Sequence, residues 1–317
     1  MTMKPTTTPP VSNPGPTNPI ARRSLLLAAG ALAGASSLAN ARASSPIPAR
    51  APLGEDPPLA GTKTRFAANL EMWWGGLPFP ERIRAAHALG FKAFEFWPWR
   101  GKDLDAISAA MKETGMVCTQ FTGWGFVPGM NDPANHEALE REITEGCQVA
   151  KKLGAKMMCV VAGNDIRGKS QAEMHAAVIA GLKRVAKIAE SNDVMLVLEP
   201  MNVRVDHKGH CLYGSPDAIR IVRAVGSSHV KILWDLYHMH ISEGDLCGHL
   251  REGIAEIGYV QLADHPGRNE PGTGEIHYNR VLKELDALGY HGWVGVECSP
   301  SAPEREAAQR LAAADVW

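Results

Sequence analysis

Short apolar runs alternate with amphipathic segments eight times between Arg65 and the end of the chain. The runs are rich in β-branched and aromatic residues, which is typical of buried strands. The segments between them repeat apolar residues at helical spacing, and two of them end at glycines suited to helix C-caps, Gly90 and Gly115. The predicted strands are residues 66–70, 93–96, 117–121, 157–161, 195–199, 231–235, 259–262 and 293–297.

The clearest predicted helices are residues 80–89, 103–113, 173–190 and 279–288. Eight strand-helix units in about 250 residues predict an α/β fold, a parallel (β/α)8 TIM barrel. A doubly wound open sheet is the structural alternative. It is disfavoured because no G-x-G-x-x-G motif follows the first strand, and Trp74-Gly75-Gly76 makes a poor phosphate cradle.

The N-terminus has the features of an export signal. Arg22-Arg23 precedes a small apolar run that reaches about Ala39, and Ala41-Arg42-Ala43 offers a cleavage site. We therefore predict a twin-arginine signal peptide at 1–43, a Pro-rich linker at 44–64 and a single catalytic domain at 65–317, with the mature protein in the periplasm or otherwise exported. The alternative is an N-terminal membrane anchor, although the apolar run is shorter than the ~20 residues that span a bilayer.

Charge and composition favour a small-molecule partner. The formal net charge is −1 and no basic run of the kind that binds nucleic acid is present. We expect no nucleic-acid partner and no stable membrane span after processing, and the sequence leaves a homo-oligomer open. The six cysteines show neither C-x-x-C pairing nor zinc-finger spacing, so we expect most of them to be buried thiols.

Four polar residues end four successive apolar runs: Glu199, Asp235, Gln261 and Glu297. In a parallel barrel the C-terminal strand ends lie on one face, so these side chains are expected to converge there. Three carboxylates in one buried site repel each other unless a cation binds them. An all-oxygen set of ligands favours Mg²⁺ or Mn²⁺ over zinc, whereas each residue taken singly could simply face solvent.

Several segments resemble the hydroxypyruvate isomerase family, which belongs to the xylose-isomerase-like TIM barrels together with ketose 3-epimerases. The resemblance extends from about Phe66 to Pro300. It rests on ANLEM at 68–72, FEF at 94–96, LEPMN at 198–202, DLYH at 235–238, QLADHPGRNEPGTGE at 261–275, and GYHGW at 289–293 followed by Glu297.

The resemblance implies that Glu199, Asp235, Gln261 and Glu297 bind a divalent metal and that Glu199 and Glu297 are the catalytic acid-base pair. It implies an isomerase that interconverts an α-hydroxy ketone and an α-hydroxy aldehyde through an ene-diolate. The expected reaction converts hydroxypyruvate to 2-hydroxy-3-oxopropanoate (tartronate semialdehyde). Glutamine rather than histidine in strand seven favours this isomerase over an epimerase.

Other activities stay open at this point. A ketose 3-epimerase or another sugar isomerase would use the same groups, and a non-catalytic periplasmic sugar-binding protein could keep them. Abasic-site endonucleases share the barrel and bind several zinc ions, but the charge balance opposes that reading. The segment 206–212 departs from the family pattern, which places the substrate in more doubt than the chemistry.

Three further residues are candidates for binding substrate. His238 could hydrogen-bond a hydroxyl, and Arg268 could hold a carboxylate with its planar guanidinium, unless it forms a rim ion pair with Glu270 or Glu275. Glu95 could contact substrate or be a buried structural carboxylate. Five tryptophans follow the first three predicted strands and could form an aromatic wall for a sugar ring or pack in the core: residues 73, 74, 97, 99 and 124.

Overall fold

A computed structural model describes residues 56–317, which form eight parallel strands closed into a barrel. Each strand pairs with its neighbours in chain order, and β8 closes the barrel on β1. The predicted (β/α)8 TIM barrel is thereby confirmed. The strands are β1 (Arg65–Asn69), β2 (Ala93–Pro98), β3 (Val117–Trp124), β4 (Met157–Val161), β5 (Met195–Glu199), β6 (Val230–Asp235), β7 (Ile257–Leu262) and β8 (Trp293–Val296).

Nine α-helices lie between or after the strands in the described part of the chain. The four predicted helices are present, with ends within two residues of those expected. Local signals explain several of the ends, since Asp103 and Ser170 cap helix N-termini and Gly115 ends a helix in the left-handed conformation. The helices are α1 (Phe79–Ala88), α2 (Leu104–Thr114), α3 (His136–Leu153), α4 (Gln171–Ser191), α5 (Ser215–Val225), α6 (Leu236–Ser242), α7 (Leu246–Gly253), α8 (Tyr278–Ala287) and α9 (Glu304–Ala313).

Apolar side chains form two layers. The larger lies between the strands and the surrounding helices, and a smaller cluster includes Val161, Val197, Leu233 and Tyr259. Because parallel strands in a barrel bury both faces, they appear in the sequence as nearly continuous apolar runs. For this reason, the polar residues at the strand ends stand out in the sequence.

The predicted signal peptide and linker precede the barrel in the chain. Residues 1–55, which include the predicted signal and most of the linker, lie outside the described residues. From residue 56 onward the chain contacts the barrel: Leu59 is buried, and its N–H donates to Leu89 O at 3.2 Å.

All six cysteines are free thiols in the part of the chain that the structure describes, and five of them are buried. Burial raises the pKa of the Cys159 thiol well above its usual range. Among residues 56–317, no helix combines the length and the apolar character needed to cross a bilayer.

Candidate active site

The C-terminal ends of three strands bring three carboxylates together at one mouth of the barrel. Glu199 ends β5, Asp235 ends β6, and Glu297 directly follows β8. One ligand atom from each of them, and one ring nitrogen of His238, lie within 4.8 Å of one another. None of these four residues is more than 6% exposed. The convergence expected of these strand ends is therefore present.

Gln261 occupies the equivalent place on the strand between them. It lies in β7, is the register partner of Asp235 in β6, and is also buried. Its Nε2 donates to Glu95 Oε1 at 2.8 Å, whereas its Oε1 is buried without a hydrogen-bond partner among the described residues. The amide is thus oriented with its oxygen available as a ligand.

The electrostatics of the site are unfavourable for three ionised carboxylates. Burial, with Glu297 and Asp235 nearby, raises the pKa of Glu199 well above its usual range, and burial raises the pKa of Asp235 to about 6. Burial also raises the pKa of Glu297, although Arg268 Nη2 contacts its Oε2 at 2.6 Å and opposes the shift. One guanidinium does not compensate three carboxylates, so the site carries excess negative charge.

A divalent cation fits this set of residues. Asp235 Oδ2 and Gln261 Oε1 are both buried without a hydrogen-bond partner in the described part of the chain, although such oxygens normally find one. Three carboxylates and an amide supply only oxygen ligands, which suit a hard cation such as Mg²⁺ or Mn²⁺. A bound cation would offset the repulsion and also satisfy both oxygens.

The hydrogen bonds of His238 identify it as a donor rather than a ligand. Asn202 Oδ1 accepts the N–H groups of Val205 and Asp206, so its Nδ2 is the group that donates to His238 Nδ1, at 2.7 Å. The proton of the neutral ring therefore sits on Nε2, which lies 3.5 Å from Asp235 Oδ2. Burial lowers the pKa of His238 well below its usual range and keeps the ring neutral. His238 can thus donate to a substrate oxygen.

Three residues contact the two glutamates in a way that was not predicted. Trp97 Nε1 donates to Glu297 Oε1 at 2.8 Å, and Asn69 Nδ2 donates to the same oxygen at 3.4 Å. Cys159 Sγ donates to Glu199 Oε2 at 3.4 Å. One sequence pattern could have identified Asn69: like Glu199 and Asp235, it is a polar residue that ends a strand at this mouth of the barrel.

Glu95 lies outside the cavity wall and is completely buried. Its carboxylate accepts amide N–H groups from Asn69 at 2.9 Å, Gln120 at 3.1 Å and Gln261 at 2.8 Å. Burial, with Glu297 nearby, raises the pKa of Glu95 to about 7. The structure places Glu95 as a support for Gln261 and not in contact with the cavity.

Arg268 points into the site and forms neither of the two rim ion pairs considered for it. Glu270 is bound by Arg310 Nη1 at 2.8 Å, and Glu275 is bound by His240 Nε2 at 2.8 Å. Arg268 has a φ of 54°, a left-handed conformation that is unfavourable for residues other than glycine. Strained backbone conformations of this kind cluster at active sites, and the contacts of Arg268 with Glu297 place it in one.

A cavity of about 610 Å³ opens above the carboxylates. Of the five tryptophans considered, Trp97 and Trp124 line it, whereas Trp73 is fully buried and packs with Trp74. Trp99 stacks with Arg100 instead. Among residues 56–317 a single group of histidine, cysteine and acidic side chains has metal-binding spacing, the one described above.

Sequence comparison finds relatives that cover most of the chain. Hydroxypyruvate isomerase of Escherichia coli is 31% identical over 242 residues, 74% of this chain and 93% of the relative. The 2-oxo-tetronate isomerase of Cupriavidus necator is 32% identical over 245 residues, 75% of this chain and 94% of the relative.

Two solved structures are similar over almost their whole length. One is an AP endonuclease, family 2, from Brucella melitensis, with a TM-score of 0.73 and 25% identity, covering 77% of this chain and 96% of that one. The other is a 3-keto-D-glucoside 4-epimerase from E. coli, with a TM-score of 0.68 and 25% identity, covering 80% of this chain and 98% of that one.

The family model described as "Xylose isomerase-like TIM barrel" matches residues 83–314. This match spans most of the barrel and includes all four strand-end residues of the site. Together with the two isomerase relatives, it shows that this chain belongs to the xylose isomerase-like TIM barrel family and is an isomerase.

Proposed function

We propose that this isomerase depends on a divalent metal and interconverts an α-hydroxy ketone and an α-hydroxy aldehyde through an ene-diolate. Hydroxypyruvate, which would give 2-hydroxy-3-oxopropanoate, is the substrate that we propose, because it is named in the relatives from E. coli and Streptomyces coelicolor. The observation that carries the proposal is the meeting of Glu199, Asp235 and Glu297 at one buried point.

Four residues would hold the cation: Glu199, Asp235, Gln261 and Glu297. When bound, Mg²⁺ or Mn²⁺ supplies positive charge that stabilises the negative charge of an ene-diolate. Asp235 and Gln261 complete the set of oxygen ligands. Neither of them transfers a proton in the proposed reaction, so the two glutamates transfer the protons.

Glu199 and Glu297 come from β5 and β8, so a substrate between them presents a different side to each. One glutamate removes the proton from the hydroxyl-bearing carbon next to the carbonyl, and the other returns a proton to the former carbonyl carbon. The hydroxyl proton passes to the former carbonyl oxygen, so that the hydroxyl and the carbonyl exchange places. Trp97 and Asn69 hold Glu297 through Oε1, and Cys159 holds Glu199 through Oε2. The indole and amide contacts restrict the orientation of the Glu297 carboxylate, as proton transfer requires, and the thiol adds a weaker contact to Glu199.

His238 and Arg268 would bind the substrate. The neutral His238 ring offers its Nε2 proton to a substrate oxygen, and the Arg268 guanidinium matches a substrate carboxylate or a pair of hydroxyls. Arg268 is bound to Glu297 at 2.6 Å in the structure. We infer that Arg268 leaves Glu297 and binds the substrate when a cation offsets the negative charge of Glu297.

The test is proton exchange. Metal-loaded protein is incubated with hydroxypyruvate in D2O, and NMR follows deuterium at C3 together with the appearance of tartronate semialdehyde. We expect both with the unaltered protein. Glu297→Gln keeps the shape of the side chain but cannot accept a proton, so we expect it to form no tartronate semialdehyde; loss of exchange at C3 as well would identify Glu297 as the glutamate that removes this proton. Metal-loaded protein that exchanges no proton in hydroxypyruvate or in ketose sugars would indicate a binding protein instead.

A ketose 3-epimerase is the second candidate, because the same two glutamates can move a proton off C3 of a sugar and return it on the other face. The similarity to the 3-keto-D-glucoside 4-epimerase structure supports it. The same NMR experiment separates the two reactions, since an epimerase exchanges only the proton at the inverted carbon and forms no aldehyde.

We also propose that residues 1–43 direct export through the twin-arginine route. The pair Arg22-Arg23 supports this, since that route requires it. Replacing both arginines with lysine is expected to leave the protein in the cytoplasm, which fractionation of cells would detect.

A further inference from the structure

The cavity above the carboxylates is larger than a three-carbon acid needs. Its volume is about 610 Å³, in the middle of the range of ~300–1,000 Å³ that is usual for pockets binding drug-sized ligands. Hydroxypyruvate has seven non-hydrogen atoms and, at about 30 Å³ for each water-sized group, fills roughly a third of this space. The remaining space can hold a further part of the substrate, beyond the carbons that react.

One wall of this space is an indole fixed by the catalytic carboxylate. Trp97 Nε1 donates to Glu297 Oε1 at 2.8 Å, yet Trp97 is 37% exposed. The ring is therefore held at its nitrogen while much of its surface stays accessible. An exposed tryptophan in a fixed orientation is a preorganised surface for an apolar group.

A second aromatic wall also begins at the catalytic residues. The His207 ring packs edge-on against His238, with centroids 5.2 Å apart, and stacks on Phe126 at 5.0 Å. His207 and Phe126 both line the cavity. The wall therefore extends continuously from the reacting centre toward the loop after β3.

Irregular strand ends place the tryptophans of these walls. The register between β2 and β3 shifts between Phe96 and Pro98, next to Trp97. The register between β3 and β4 shifts between Thr122 and Trp124. Such bulges redirect side chains next to active sites, which here accounts for two tryptophans that face one cavity.

An ion pair supplies polar groups beside these apolar walls. Arg100 binds Glu142 at 2.6 Å, and both residues line the cavity. A sugar ring presents an apolar C–H face and a polar edge of hydroxyls, and the hydroxyls need both donors and acceptors when water is displaced. Aromatic faces next to a charged pair match such a ring better than they match a hydrocarbon ring.

We propose that the substrate carries a sugar ring at the end remote from its reacting carbons, and that Trp97, Trp124 and Phe126 bind the apolar face of that ring. This inference rests on the proposed function, which places the reacting carbons at the glutamates. It changes the expected substrate from a small acid to a hydroxy-carbonyl sugar with an attached ring.

The test compares two ketoses that differ by one ring. D-Fructose and isomaltulose, which is fructose with a glucose ring on O6, are each incubated with the Mn²⁺-loaded protein in D2O beside hydroxypyruvate. NMR follows exchange of the protons next to the carbonyl. We expect kcat/KM for isomaltulose to exceed that for fructose at least about tenfold. Tryptophan fluorescence, titrated with each ketose, gives binding constants that do not depend on turnover.

The outcomes separate the two proposals. Exchange with hydroxypyruvate or fructose, but no advantage for isomaltulose in turnover or binding, overturns the attached ring and leaves the proposed function intact. No exchange with any of the three compounds, on protein that binds Mn²⁺, overturns the proposed function and this inference with it.

A variant tests which wall binds the ring. Phe126 is only partly buried, so Phe126→Ala is expected to fold and to lower the isomaltulose-to-fructose ratio of kcat/KM about tenfold. Trp317→Ala is the matched control, because Trp317 lies near Arg65 at the other end of the barrel. We expect it to keep the ratio. An unchanged ratio in folded Phe126→Ala would contradict the assignment of this wall.

Discussion

Asp264 shows how one buried side chain shapes the loop that carries Arg268. It is completely buried two residues after the end of β7, and a glycine-rich loop folds around its carboxylate. Its oxygens accept the backbone N–H groups of His265, Gly272 and Gly274, each at 2.9 Å, and of Ile276 at 3.0 Å. A carboxylate suits this place because it accepts only and has room for four donors.

Asp264→Asn is expected to loosen this loop. The amide nitrogen that replaces one carboxylate oxygen would face N–H donors, so we expect the free energy of unfolding to fall by about 1–3 kcal/mol. Urea unfolding measures the loss, and limited trypsin digestion reports faster cleavage after Arg268. Glu275→Gln, on the exposed part of the same loop, serves as the control. Equal stability of the two variants would show that Asp264 does not hold the loop.

His210 makes stability depend on pH. It is 1% exposed, neither ring nitrogen has a hydrogen-bond partner in the described part of the chain, and burial lowers its pKa to about 3. Because the unfolded ring has a pKa near 6.5, the unfolded state binds more protons between these two values. The stability from the neutral ring is complete above about pH 6.5 and declines as the pH falls toward 3.

His210→Phe is expected to remove this dependence. Between pH 7 and pH 5 the unaltered protein should lose about 2 kcal/mol through His210, whereas the variant has no proton to bind there. Phe126 packs edge-on against His210 at 5.5 Å, an arrangement that a phenyl ring can keep. Urea unfolding at both pH values measures the difference. Parallel loss of stability in the two proteins would contradict the role assigned to His210.

At the level of the strands, β8 carries a glycine, Gly295, where it passes close to the buried side chain of Glu95. A Cβ on Gly295 would lie 2.3 Å from Glu95 Oε2. Glu95 cannot move aside easily, because amides from β1, β3 and β7 hold its carboxylate. A strand interior normally disfavours glycine, and here close approach of a buried side chain explains it.

Gly295→Ala is therefore expected to destabilise the barrel by about 1–3 kcal/mol, the usual cost of an overfilled core. The measurement is the urea midpoint and slope. Gly75→Ala is a suitable control, since an added Cβ there meets no atom within 4 Å. A midpoint for Gly295→Ala as high as that of the control would mean that Glu95 is not fixed in place.

At the level of the whole molecule, we expect the site to oppose folding when no metal is bound. Three buried carboxylates with raised pKa values must either repel each other or take up protons that the unfolded chain has released at neutral pH. A cation that binds only the folded state adds about 2.7 kcal/mol of stability at one hundred times its Kd.

Glu199→Gln is expected to raise the melting temperature of the metal-free protein and to reduce the further rise that Mn²⁺ causes. In EDTA the variant should melt at a higher temperature than the unaltered protein, because one buried carboxylate is gone. With Mn²⁺ it should gain less, because one ligand charge is lost. Melting followed by circular dichroism tests both signs, with Glu137→Gln on the exposed surface of α3 as the control. A rise in melting temperature on adding Mn²⁺ that is as large in the variant as in the unaltered protein would contradict a metal site at Glu199.

Much of the fold and of the site could be predicted because the two patterns that indicate them, hydrophobic periodicity and polar residues at the ends of apolar runs, are local in the sequence. Apolar runs interrupted by helical periodicity mark eight strands, and polar residues that end such runs mark Glu199, Asp235 and Glu297 without knowledge of their neighbours. The sheet order then follows from parallel connectivity, which places all these ends at one mouth of the barrel.

The amino-acid sequence by itself determined the barrel, the four strand-end residues and the two candidates His238 and Arg268. Only the tertiary structure decided which groups support them. Asn69 and Trp97 reach Glu297 across 228 and 200 residues, and no local pattern records such contacts. The same holds for the division of the tryptophans between cavity and core and for the volume of the cavity. These depend on how the loops from several strands pack together, so they are properties of the folded chain alone.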